Sequence, residues 1–132
     1  MKITADTNVL VRAVTGDDAR QSHIARVALA EAEEVAVTLP ALCELVWVLS
    51  RAYKIASADI AEALRRLANA TNVVVNRPAM DAGLAMLTTG GDFAHGVIAF
   101  EGRWLGAATF VSFDKQAVSL VEAQGATAHL LS

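Results

Sequence analysis

The chain has one cysteine, Cys43, and two prolines, Pro40 and Pro78, in 132 residues. A single cysteine excludes an internal disulfide. With Leu42 and Leu45 close by, and no oriented histidine partner identifiable, Cys43 reads as a small buried hydrophobe rather than a nucleophile. Long apolar runs are also missing. Segments such as Leu45–Leu49 are far too short to cross a bilayer. The opening Met1–Asp6 carries an acid where a secretory signal needs uninterrupted apolar sequence, so a cytoplasmic location is expected. No Pro-, Gly- or Ser-rich linker and no internal repeat divides the chain. A single domain over residues 1–132 is therefore expected, burying about two thirds of the surface its unfolded form exposes.

Excess positive charge is lacking as well. The net charge of −3 argues against broad, nonspecific nucleic-acid binding, which relies on Lys and Arg displacing counterions from phosphates. It leaves a nuclease open. Metal ions can neutralise an acidic pocket while local cations hold the flanking backbone. Arg12, Arg20, Arg26, Arg51, Lys54, Arg65, Arg66 and Arg103 are available for that, most of them as ordinary surface charges. What is abundant is apolar sequence: 55% hydrophobic against 19% charged residues excludes a disordered polar chain.

β-rich runs alternate with helical patterns. Ile3–Asp6 reads as a first strand, followed by a helix entered at Val9–Val11. Gly16-Asp17-Asp18 breaks the chain, and Asp17 or Asp18 caps a helix running to about Ala32. Val35–Thr38 is a second strand, and Pro40 opens the helix that carries Glu44. Ser57 reads as the cap of the next helix, with Ile60, Leu64 and Leu67 at helical spacing. Asn72–Asn76 is a third strand, and Pro78 begins a helix closed by Thr88–Gly91. Asp92 opens another helix, Thr109–Phe113 is a fourth strand, and Lys115–Gln124 a last helix. Thr127–Leu130 adds an edge strand. Strands joined by helices imply parallel crossovers. The expected fold is α/β, a three-layer α/β/α sandwich around a central, mostly parallel sheet of four to five strands.

In such sheets functional groups gather at the carboxyl ends of the strands. Asp6 ends the first strand, Asp114 follows the fourth, and Glu44 and Asp92 lie early in helices. Each has a structural explanation too: Asp6, Asp92 and Asp114 can cap helices, and Glu44 can face solvent. Glu44 stands out because a carboxylate buried among Leu42, Leu45, Val46 and Trp47 would be costly without a partner or metal. Caps need not converge, whereas a Mg²⁺ or Mn²⁺ site requires several oxygen ligands around one point.

Three segments carry a resemblance. Ile3–Arg12, with Asp6 followed by Asn8, Thr38–Leu49, with Glu44 on its helix, and Thr109–Lys115, ending on Asp114, together resemble the acidic motifs of PIN-domain ribonucleases. Within that family they resemble the VapC-type toxins of bacterial toxin–antitoxin pairs. The resemblance spans essentially the whole chain. It implies a Mg²⁺- or Mn²⁺-dependent endoribonuclease held inactive by a cognate antitoxin and forming a homodimer. Asp6, Glu44 and Asp114 carry over as metal-site acids. Asn8 positions a ligand or a backbone turn, and Ser112 serves as a nearby hydroxyl donor.

The departure falls at His95, where relatives usually have an acid; Asp92 corresponds to a frequent upstream auxiliary acid. Imidazole can ligate Mn²⁺ but suits Mg²⁺ poorly. Three readings of His95 stay open: an alternative metal ligand, a replacement that weakens catalysis, or a solvent-facing residue with Asp92 in the acid role. The functional alternatives are a catalytically impaired module binding RNA or antitoxin and, remotely, a haloacid-dehalogenase-like phosphotransferase, which would need an aspartate where Asn8 stands. Trp47, Val48, Tyr53 and Ile55 are read chiefly as core, or else as a homodimer or antitoxin interface.

Overall fold

The computed structural model describes residues 1–132, which divide into two compact units, Met1–Arg77 and Pro78–Ser132. In the first, strand β1 (Lys2–Thr4) leads through helices α1 (Thr7–Thr15) and α2 (Ala19–Glu31) to β2 (Glu34–Val37). Helices α3 (Leu39–Arg51) and α4 (Ser57–Asn69) then lead to β3 (Val73–Val75). The three strands are parallel in the order β1-β2-β3, with Ile3 opposite Val35 and Val35 opposite Val73. Alternation puts Val35 and Val37 of the central strand in the core. Leu42, Leu45 and Leu49 of α3 recur every three or four residues and are buried, as are Ile60, Leu64 and Ala68 of α4. One helical face of each thus supplies the apolar contacts the sheet needs.

Local chemistry sets the helix ends. Asp18 caps α2 by accepting the Gln21 N–H at 2.9 Å, and Thr38 caps α3 through the Ala41 N–H at 3.3 Å. The Asn72 amide donates to the carbonyls of Leu29 and Ala32, closing the end of α2 against the start of β3. Ser57 does not cap α4. Asp59 and Ile60 both donate to the Ala56 carbonyl, so Ala56 holds the cap position without a side-chain bond.

The second unit contains α5 (Arg77–Thr88, all but its first residue), α6 (Phe93–Trp104), β4 (Thr109–Ser112), α7 (Lys115–Ala123) and β5 (Thr127–Leu130). β4 and β5 are parallel, with Phe110 opposite Ala128. Met86, Ala99 and Val121 form a buried cluster against which Phe110, Leu120, Ala126 and Ala128 pack. Helices α5 and α6 approach closely because Gly83 and Gly96 lack side chains. A Cβ on Gly83 would lie 2.5 Å from the Phe93 ring, and one on Gly96 would overlap the Ala82 carbonyl.

The class is α/β with every strand pair parallel, as expected, but the strands form two ladders, of three and two, where one sheet of four to five was expected. A strand is recognisable from its own side chains, whereas its pairing depends on which backbone edges meet, and the pattern leaves that open. No helix is long and apolar enough to cross a membrane.

Candidate active site

Asp6 stands just past the carboxyl end of β1. The Ala5 N–H continues the ladder by donating to the Ala36 carbonyl at 3.1 Å, and the chain then turns into α1. The turn is capped by Asp6 itself, whose Oδ1 accepts the Thr7 N–H at 2.8 Å. On α3, Leu42 and Leu45 are buried while Glu44 is exposed. The cost of a buried charge is therefore not what distinguishes Glu44. Its position is: Asp6, Thr7, Asn8, Val11 and Arg12 from the start of α1, with Glu44, Val48 and Tyr53, line one cleft of about 420 Å³. Two of the expected acids and Asn8 are brought together there.

A polar network borders this cleft. Arg12 donates from Nη1 to Asp17 Oδ1 at 2.9 Å and from Nε to Gln21 at 2.7 Å. The Thr15 hydroxyl donates to Asp17 Oδ1 at 2.9 Å and the Tyr53 hydroxyl to Oδ2 at 2.6 Å. These bonds stabilise the carboxylate. The Tyr53 and Thr15 hydroxyls first, then Arg12, hold the Asp17 pKa down at about 2. Asp17 in turn raises the Arg12 pKa above its ordinary value. Sequence reasoning missed this network, treating Asp17 as a possible cap and Tyr53 as core or interface. The one available signal was the doublet Asp17-Asp18, of which a single member can cap α2.

In the second unit Asp92 follows the Gly90-Gly91 turn and caps α6, its Oδ1 accepting the Ala94 N–H at 3.1 Å. Asp114 caps α7, its Oδ1 accepting the Ala117 N–H at 3.0 Å. Ser112 acts as an acceptor, not a donor: its Oγ takes the Asp114 N–H at 2.9 Å and fixes the backbone there. His95 is half-buried, its ring edge-on to Phe110 with centroids 6.2 Å apart at 66°. That packing is not the solvent-facing position one reading gave it.

Asp6, Asp92 and Asp114 thus all cap helices, and each uses Oδ1 alone. Capping fixes the side chain and leaves Oδ2 available, so the cap and a metal-ligand role are compatible. Neither unit gathers three or more His, Cys, Asp or Glu side chains placed to hold a metal ion. The pair lining the cleft of the first unit is nevertheless an all-oxygen donor set. Mg²⁺ keeps much of its water shell and is commonly held by one or two carboxylates, so Asp6 and Glu44 fit such a cation.

No curated protein matches the chain. The family model described as PIN domain matches residues 3–120, running through both compact units. The chain belongs to the PIN domain family.

Proposed function

We propose that this protein is a Mg²⁺- or Mn²⁺-dependent endoribonuclease and the toxin of a toxin–antitoxin pair. PIN domains are generally metal-dependent nucleases. The observation that carries the reading is the cleft where Asp6, Asn8, Arg12 and Glu44 meet. Its carboxylates attract a divalent cation and hold it directly or through water. When bound, the cation supplies activation of an attacking water and neutralisation of charge on the phosphoryl oxygens. The remaining work falls to the chain. The cap bond at Asp6 holds that carboxylate in one orientation, Arg12 offers Nη2 to a substrate phosphate, and Asn8 orients a ligand at the start of α1.

Asp92 and Asp114 serve the same chemistry from the second unit, Ser112 steadying Asp114, with His95 as a nitrogen ligand that favours Mn²⁺ over Mg²⁺. In this reading residues 1–132 act as one domain, the protein works in the cytoplasm as a homodimer, and a basic side chain of the cognate antitoxin silences the cleft. A second reading, a module that binds RNA or antitoxin without turnover, draws on His95 standing where an acid is expected.

The test is cleavage of an RNA panel with Mg²⁺, Mn²⁺ or chelator, comparing wild type with Asp6→Asn. Asparagine caps a helix as well as aspartate does, so Asp6→Asn should lose cleavage by about a hundredfold or more at unchanged melting temperature. Metal-independent cleavage, or an active Asp6→Asn, would overturn the proposal.

A further inference from the structure

This inference rests on the nuclease reading and concerns what holds the RNA. Pro40, Glu44, Trp47 and Arg51 follow one another along α3 at intervals of four, three and four residues, and all are exposed. That spacing places them on one side of the helix, opposite the buried Leu42, Leu45 and Leu49. Trp47 is 62% exposed. It sits one turn from Glu44, which lines the acidic cleft.

The surroundings of Trp47 decide what it is suited to. Its helical neighbours at three and four residues are Cys43, Glu44, Ser50 and Arg51, of which Cys43 alone is apolar, so these positions do not build a broad apolar patch around the ring. A protein interface would want such a patch, and would be depleted of charge at its centre. The cations beyond Trp47 are not taken up by the protein. The ion pairs are Arg12–Asp17 and Arg66–Glu62, leaving Arg51 and Lys54 without one. Lys54 is also the one non-glycine residue with a positive φ, at 53°. The turn is fixed by the Tyr53 N–H on the Val48 carbonyl and the Ile55 N–H on the Leu49 carbonyl. A left-handed position favours glycine. A lysine held there is strained, and what it adds over glycine is a positive charge in the turn that ends the helix carrying Trp47.

An aromatic face flanked by uncommitted cations is the arrangement that binds single-stranded nucleic acid: the ring stacks on a base while the cations meet phosphates. We propose that Trp47 is a stacking platform for an unpaired RNA base, with Arg51 and Lys54 contacting the adjoining phosphates. The strand then enters the cleft at Glu44.

The test measures binding of a labelled single-stranded RNA by fluorescence anisotropy in EDTA, with cleavage followed separately in Mn²⁺. Trp47→Ala should weaken binding by about tenfold and Trp47→Phe should retain most of it. Because the ring is exposed, neither should shift the melting temperature. Lys54→Gly should bind less tightly, with a salt dependence shallower by about one counterion, yet melt no lower than wild type. Unchanged affinity in Trp47→Ala overturns the proposal and, if wild type cleaves RNA, leaves the nuclease reading standing. Unchanged affinity with a loss of self-association in sedimentation makes Trp47 a protein contact and also overturns it. Binding that depends on Trp47 in a protein that never cleaves supports the platform while the nuclease reading fails. A wild type without RNA affinity sinks the proposal.

Discussion

The Tyr53 hydroxyl donates to Asp17 Oδ2 at 2.6 Å, joining the turn after α1 to the turn after α3. Both residues lie beside the acidic cleft, so this bond braces two of its walls. Asp17 titrates at about 2 when folded, against an ordinary value of 3.8. A depressed folded pKa contributes stability that is fully present above the unfolded value and lost as pH falls through the folded one. The network should therefore loosen between about pH 4 and pH 2. Urea titrations across that range should show a smaller acid loss for Asp17→Asn than for wild type. Tyr53→Phe, which removes the leading cause of the shift, should move the loss to higher pH. Identical profiles in all three proteins would mean the network is broken in solution.

Ser22 presents the opposite case. It is buried on α2, 3% exposed, and its hydroxyl has no hydrogen-bond partner. An unsatisfied buried hydroxyl carries its desolvation cost uncompensated, and alanine is also the better helix former. Ser22→Ala should raise stability by about 1 kcal/mol, read as a higher urea midpoint at unchanged slope. A lower midpoint would show that the hydroxyl has a partner, such as a buried water.

The contact of α5 with α6 should tolerate no methyl at Gly96. The obstruction there is backbone, the Ala82 carbonyl and the Gly83 Cα, and cannot rotate away. At Gly83 the obstruction is the Phe93 ring, a side chain, though a fully buried one. Gly96→Ala should cost about 1–3 kcal/mol, in the range of overpacked cores, and more than Gly83→Ala. The reverse order in denaturant titrations would show that the Phe93 ring is the less yielding obstacle.

Local patterns carried much of this structure into the sequence. The strands at Ile3, Val35, Val73 and Thr109 announce themselves as short β-rich runs, and the helices by their three-to-four spacing. The Asp6, Asp18, Asp92 and Asp114 caps were legible because a cap bonds residues one to three positions away. The Tyr53–Asp17 bond was not, since it spans 36 residues that nothing local relates. Glu44 misled for a related reason. Its apolar sequence neighbours suggest burial, but on a helix they point elsewhere, and Glu44 is exposed. The division of the strands into two ladders was hidden too, because pairing is a property of edges rather than of residues.

At Asp114 the cap and the proposed metal role can be separated. Asp114→Asn keeps an oxygen for the Ala117 N–H and removes the charge a cation needs. Asp114→Ala removes both. Asparagine should abolish most cleavage while leaving the melting temperature close to wild type, and alanine should also lose about 1 kcal/mol of stability. If Asp114→Asn cleaves RNA normally, this acid is a cap and nothing more.

His95 tests whether nitrogen at this position limits catalysis. His95→Asp places a carboxylate in the first turn of α6, where the partial positive charge of the helix N-terminus favours it. The change gives up the edge contact with Phe110, so a modest loss of stability should accompany it. A carboxylate suits Mg²⁺ where imidazole suits Mn²⁺. Cleavage with Mg²⁺ should therefore rise, by about tenfold or more, and the ratio of Mn²⁺- to Mg²⁺-supported rates should fall. That ratio is informative even if total activity drops with stability, because unfolding lowers both rates alike. An unchanged ratio would place His95 outside the metal chemistry, as a packing residue against Phe110.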